Sequence, residues 1–187
     1  KIEAGKLELE RIPFSLEEVL EALHGLLVLK AEEKGLALRV ERDPAIPVRL
    51  LGDPARLRQV LLNLASNAVK FTDRGEVVLS VRRLSQDREG VSLAVSVRDT
   101  GIGMSAEQCA QLFQSFHQAD SSTSRRYGGT GLGLAISQRL VAAMGGRIDV
   151  SSAPGVGTVF HFSLRFGVPR DALQAQIPET HRVLAQV

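Results

Sequence analysis

Tryptophan is absent, tyrosine occurs once, and aromatic residues make up only 4% of the chain. No Lys/Arg cluster is interleaved with the few aromatics there are. The stacking platforms and basic stripes that hold nucleic acid are therefore missing, and no nucleic-acid partner is expected. Cys109 is the only cysteine, which excludes an intrachain disulfide and a cysteine-rich metal site. It is expected to be a small core residue. No apolar run is long enough to cross a bilayer and no signal-peptide pattern opens the chain. This piece is therefore expected to be soluble, in a reducing compartment, with no direct membrane contact of its own. It begins at Lys1 rather than Met, as a fragment or processed product would. Charge of either sign is nearly balanced, at net +2. What remains is globular: 187 residues, 44% hydrophobic and 24% charged, suited to one core with some excess at the ends.

Lys1 to about Glu10 is charged, with Leu7 and Leu9 as its main apolar residues, and reads as the end of a helix running into an extended segment. Ser15-Leu-Glu-Glu18 is a capping-box start, and Leu16, Val19, Leu20, Leu23, Leu26 and Leu27 follow at helical spacing until Gly35. His24 reads as a packed histidine beside that stripe. Leu36 to Val40 alternates as a short strand. Asp53-Pro54 opens a second helix, with Asp as cap and Pro at the first helical position; it runs through Leu57, Val60, Leu61, Leu64 and Ala68 toward Phe71. Gly75 to Leu84 and Val91 to Arg98 read as paired strands. A short helix from Ser105 ends near Phe113. Gln114 to Thr130 lacks periodicity and is rich in Ser, Thr, Arg and Gly, as a functional lid would be. Leu132 to Met144 forms a last helix, and Arg147 to Ser152 and Gly157 to Phe166 two closing strands, with Thr158, Phe160, Phe162, Leu164 and Phe166 on one face. Beyond residue 167 the periodicity fades into a linker or tail. No internal repeat is found.

The stretch Asp99-Thr-Gly-Ile-Gly-Met104 organises the rest. Val91, Leu93, Val95 and Val97 form the buried parity of a strand, and Asp99 shares it, so its carboxylate points inward. A buried carboxylate needs hydrogen-bond donors. No cationic side chain follows nearby, which makes a ligand the expected donor. Gly101 and Gly103 allow close approach or positive φ. Taken alone, the stretch is a polar turn after a strand. Its companions change that reading.

Asn63, Asn67 and Lys70 fall within about 60° of one another on the second helix. Asparagine is a poor helix former, so a mid-helix pair has a stability cost that a function would explain. Two carboxamides and an ammonium make a phosphate-and-metal surface, and a carboxamide oxygen suits Mg²⁺. Gly128-Gly-Thr-Gly-Leu-Gly133 leads into the last helix and frees N–H groups to face anions. It lacks the Gly-Lys-Ser/Thr ending of a Walker loop and the strand context of a dinucleotide fingerprint.

In this order the segments resemble the catalytic ATP-binding domain of sensor histidine kinases, in the superfamily that also contains type II topoisomerases, mismatch-repair ATPases and heat-shock chaperone ATPases. Asn63-Leu-Ala-Ser-Asn-Ala-Val-Lys-Phe-Thr72 looks like the family's N box and Asp99-Thr-Gly-Ile-Gly103 like its first glycine box. Phe113-Gln-Ser-Phe116 looks like the F box, Gly129-Thr-Gly-Leu-Gly133 like the second glycine box, and Gly155 to Phe160 like the closing glycine-Thr motif. Lys1 to Leu7 looks like the run-out of a dimerisation helix.

The resemblance implies a fold: a two-layer α/β sandwich of the Bergerat type, one mixed β-sheet covered by three main helices. It also implies domains: 1–12 the end of the dimerisation helix and linker, 13–167 the catalytic unit, 168–187 a linker or tail. Asp99 would accept the adenine amine, sharing a water with Thr158. Asn67 would coordinate Mg²⁺, with Asn63 and Lys70 near the phosphates as the other catalytic residues. Phe71, Gly101, Ile102, Gly103, Arg126, Gly129, Thr130, Gly131, Leu132 and Gly133 would complete the ATP site. Gln118 stands where many relatives carry Arg, and Arg125 or Arg126 offers a cation instead. That glutamine, with Ala-Asp-Ser-Ser after it, resembles hybrid kinases, which carry receiver domains.

Hydrolysing relatives usually have Glu where Asn63 stands, and a carboxamide cannot serve as general base. The implied activity is therefore phosphoryl transfer to a histidine on a dimerisation domain outside this chain. Neither His24-Gly, His117-Gln, His161-Phe nor His181-Arg has the acidic neighbour typical of an acceptor. The implied partners are that domain, within a homodimeric parent, and a response regulator or receiver domain. The implied location is cytoplasmic, whether or not the parent is anchored in the inner membrane. The alternatives are a catalytically degenerate nucleotide-binding module, against which the intact metal and glycine positions count, and a hydrolase.

Overall fold

In the computed structural model, residues 8–112 and 132–170 are described. Two N-caps start the helical layer. The Ser15 hydroxyl accepts from Glu18 N–H at 3.3 Å and opens α1 (Leu16–Glu33). The Asp53 carboxylate accepts from Arg56 N–H at 3.1 Å and opens α2 (Pro54–Phe71), with Pro54 where no amide partner is needed. α1 buries Leu16, Val19, Leu20, Leu23, Leu27 and Ala31. Leu26 does not belong to that row: it is 56% exposed, because it sits about 60° around the helix from Leu23, and Leu27 continues the buried line. His24 is half-buried.

Gly25 lies mid-helix on the exposed side, and a Cβ there would meet nothing within 4 Å among the described residues. Gly25→Ala is therefore expected to stabilise the domain by about 0.5–1 kcal/mol. The check is a higher urea midpoint at unchanged slope.

α2 packs against both α1 and α4 (Leu132–Ala143), and its apolar stripe from Leu57 to Val69 is fully buried. Its last carbonyls find a partner outside the helix. The Lys34 ammonium, just past α1, donates to Val69 O at 2.8 Å and Lys70 O at 3.0 Å. This satisfies orphan acceptors at the negative end of the helix dipole. α3 (Ala106–Leu112) is short and buries nothing, so Cys109 is half-exposed rather than part of the core.

Among the described residues seven strands form one mixed sheet: β1 (Ile12–Phe14), β2 (Ala37–Arg42), β3 (Leu50–Gly52), β4 (Glu76–Gln86), β5 (Gly90–Asp99), β6 (Asp149–Ala153) and β7 (Gly157–Gly167). The order is β1-β3-β7-β5-β4-β2, with β6 also on β7, and only β2 and β4 run parallel. The helices cover one face, where Val77, Leu79 and Val81, then Val91 to Val97, then Phe160 to Phe166 alternate inward. The other face is wetter, with Arg98 and Arg39 paired to Glu76 at 2.8 and 3.4 Å. The molecule is a two-layer α/β sandwich, one mixed sheet backed by three main helices.

Candidate functional site

The inner face of the sheet turns polar at one end. There the register sets Val77, Asp99 and Thr158 side by side, with Ser152 beyond Thr158. Asp99 and Thr158 are each 6% exposed. The period-2 alternation of β5 thus carries Asp99 inward, as its parity predicts.

The donor to that carboxylate was expected to be a ligand; the structure finds two in the chain itself. Gly101 N–H donates to Asp99 Oδ1 at 2.9 Å, and the Thr158 backbone N–H also donates to the carboxylate. Burial pushes the Asp99 carboxyl above its ordinary value, and the two amides only partly offset it. A carboxylate has about four acceptor sites, so these two bonds leave capacity for a further donor. The group is held, not saturated.

The loop after Asp99 is fixed from three sides. Thr100 bonds to β4, its N–H donating to Glu76 O at 3.1 Å and its hydroxyl accepting from Glu76 N–H at 2.9 Å. Ile102 N–H donates to Phe71 O at 3.3 Å, and Gly155 N–H to Ile102 O at 2.7 Å. Gly101 has its close approach to the chain: an added Cβ would overlap the Phe71 carbonyl and crowd the Thr72 hydroxyl at 2.9 Å. Gly103 takes φ +69° against the Ala153 carbonyl. Ile102 itself is 45% exposed.

Ser152 and Thr72 belong to this end of the sheet and were not foreseen. The Ser152 hydroxyl donates to Gly157 O at 2.9 Å, accepts from Met104 N–H at 2.7 Å, and lies 2.8 Å from Thr158 Oγ1. With its one proton committed to Gly157, it must accept from Thr158. The Thr158 oxygen then keeps its lone pairs for a water or ligand. Thr72, fully buried, caps α2 by donating to Ala68 O at 2.7 Å. The signals for both residues were a hydroxyl on the inward parity of β6 and a threonine closing a helix.

α2 passes beside this end. Asn63 and Asn67 are half-buried and Lys70 is exposed. Asn63 is engaged with α4: its Nδ2 donates to Gly133 O at 3.2 Å and to Ser137 Oγ at 3.1 Å, while Ser137 donates to the same carbonyl at 2.8 Å. It ties the start of α4 to α2. The Asn67 side chain forms no hydrogen bond with another described residue, so its carboxamide oxygen has its acceptor capacity open. Lys70 Nζ stands 5.7 Å from the centroid of the Phe71 ring. No group of three or more His, Cys, Asp or Glu side chains converges among the described residues. A divalent ion at Asn67 would have to take most ligands from phosphates and water, the habit of Mg²⁺.

The arrangement brings together Asp99, Gly101, Ile102, Phe71 and Thr158. It joins Asn63 to Gly133 separately, through α4. Gly133 sits in the first turn of α4. Phe113, Phe116, Gln118, Arg125, Arg126, Gly129, Thr130 and Gly131 lie outside the described residues, as does the side chain of Leu132. A cavity of about 520 Å³ between Phe14, Glu17, Glu21 and Val48 is lined by none of the site residues. Among the described residues no helix is long and apolar enough to cross a membrane.

Residues 52–168 match a family of histidine kinase-, DNA gyrase B- and HSP90-like ATPases. Sensor protein GacS of Pseudomonas syringae pv. syringae is 45% identical over 199 residues, covering 100% of this chain and 22% of the relative. The signal transduction histidine-protein kinase BarA of Escherichia coli K12 is 45% identical over 164 residues, covering 88% of this chain and 18% of BarA. The chain thus spans about a fifth of the length of these relatives. Among solved structures, full-length ShkA in complex with AMPPNP superposes with a TM-score of 0.73 at 38% identity, covering 87% of this chain and 32% of ShkA. The catalytic domain of histidine kinase ThkA, nucleotide-free, superposes at 0.67 with 26% identity, covering 83% of this chain and 95% of that domain.

Proposed function

The chain belongs to the histidine kinase-, DNA gyrase B- and HSP90-like ATPase family, and from that premise we propose that it binds Mg-ATP and transfers the γ-phosphate to a histidine on a separate dimerisation domain. Residues 13–167 are the catalytic unit in this reading, with 1–12 and 168–187 its connections. The parent is a homodimeric hybrid kinase, its catalytic part cytoplasmic, and a receiver or response regulator takes the phosphoryl group onward. The observation that carries the reading is Asp99: an inward carboxylate, held by two backbone amides and retaining acceptor capacity, suits the exocyclic amine of adenine.

Each residue then has a task. Thr158, its proton turned to Ser152, offers lone pairs to a water beside the base. Phe71, Gly101, Ile102 and Gly103 form the wall around it, Gly101 and Gly103 because a side chain there would collide with the backbone. Asn67 supplies one neutral oxygen to Mg²⁺, which when bound would neutralise charge on the phosphate oxygens. Lys70 adds a cation on the same helix face. Gly129, Thr130, Gly131, Leu132 and Gly133 bring the helix start and its amides to the triphosphate, with Arg126 as a further cation. Asn63 holds that helix start and, being neutral, activates no water, which favours transfer over hydrolysis. In-line transfer asks the protein mainly for position and charge.

The test uses the 187-residue chain with a radiolabelled γ-phosphate and the cognate dimerisation domain. Acid-labile, base-stable label on the added domain, and none on the chain alone, is the expected result. Nucleotide binding with no transfer would mark a binding module instead. Release of free phosphate at the same rate without the acceptor would mark a hydrolase.

A further inference from the structure

We propose that the exposed face of α1 is a docking surface for an amphipathic helix that carries Lys and Arg beside its apolar stripe. Ala22, Gly25, Leu26 and Leu29 recur at i, i+3, i+4 and i+7, within an arc of about 100°. All four are exposed, Leu26 by 56% and Leu29 by 67%, on the side away from the Leu16–Leu20–Leu23–Leu27 row that packs inward. A second apolar stripe on a helix already packed through its first has no use inside this domain.

Gly25 is the second, independent observation. It costs helix stability, and no neighbouring atom among the described residues requires the missing side chain. Glycine next to alanine on a helix surface shortens the distance at which another helix can cross it. A crossing helix would give Gly25 the reason that this domain does not.

Charge selects the occupant. The stripe is bounded by Glu18 and Glu33 at its ends and by Glu21 and Glu32 along one side, all exposed, against Lys30 on the other. Near Glu18 and Glu21 the stripe adjoins the 520 Å³ cavity, where Val48 adds apolar surface at 70% exposure and Glu17, Glu18 and Glu21 outnumber the single cation Arg49. A second copy of this chain would set the same glutamates against one another, and an anionic membrane would be repelled. A basic-flanked helix meets both the stripe and the rim.

The inference is independent of the nucleotide site. It is tested on the intact chain, isotope-labelled, with a capped peptide of about five helical turns bearing Leu and Ala on one stripe and Lys on both flanks. A twin peptide has Glu in place of Lys. Expected are amide shifts centred on residues 22–29 with the Lys peptide only, weakening as salt rises. Leu29→Lys and Gly25→Leu are each expected to reduce affinity by at least about tenfold. Gly25→Leu improves helix propensity, so an unchanged or higher melting temperature shows that the loss is not misfolding. Equal binding of the two peptides, shifts elsewhere, or full binding by Gly25→Leu would overturn the proposal. So would self-association of the chain that Leu29→Lys abolishes, since the face would then belong to a second copy.

Discussion

ATP is expected to bind at least about a hundredfold more tightly than GTP, a margin that Asp99→Asn should largely abolish. Guanine presents a carbonyl where adenine presents its amine, and a carboxylate repels it. The two backbone amides already on Asp99 restrain the carboxylate, so the group cannot turn away from a mismatched base at no cost. Competition titration of a fluorescent adenine nucleotide by ATP and GTP measures the margin; equal inhibition would remove Asp99 from base recognition. The substitution has an opposite effect on the empty domain. Burial raises the folded-state pKa of Asp99 above the unfolded value, so between the two values the folded state holds more protons. The Asp99 contribution to the stability of the nucleotide-free domain therefore falls as pH rises through that window and is largest below it. Asp99→Asn should flatten this fall and leave the domain at least as stable at neutral pH. Nucleotide affinity should move the other way, weakening as pH drops far enough to protonate the carboxyl.

Asn67→Ala is expected to lower phosphoryl transfer by about a hundredfold or more while leaving the fold intact. The Asn67 side chain forms no hydrogen bond with another described residue, so its removal orphans no described polar group. Alanine is the better helix former, and the melting temperature should hold or rise. The separating measurement is nucleotide affinity with and without Mg²⁺. The variant should lose the difference between the two conditions, whereas a merely structural residue would leave it unchanged. Asn63→Ala contrasts with it, because the Gly133 and Ser137 bonds would go and stability should fall as well.

Much of this was legible in the residues because local chemistry and tertiary fold agree. Ser15 and Asp53 announce their helices through bonds made within three residues, and the alternation from Val91 to Asp99 needs only the pleat to be right. What stayed hidden was settled across the chain. The donors to Asp99 are main-chain amides, one of them on β7, and no side-chain inventory contains them. Lys34 caps a helix that begins twenty-one residues after α1 ends only because α1 and α2 pack together. β1 and β3, three residues each, are too short to show any period. Leu26 and Cys109 were misplaced for the same reason: apolar character says what a side chain tolerates, and the neighbouring layer decides what it receives.

The sheet order joins the first strand to the last. β1 pairs with β3, and β3 meets β7 only at its far end, where Leu51 faces Gly167. Chain entering at residue 12 and chain leaving at residue 167 thus share one border. Tension applied at either place would unzip the same short seam, so the two points act as a common handle rather than as opposite poles.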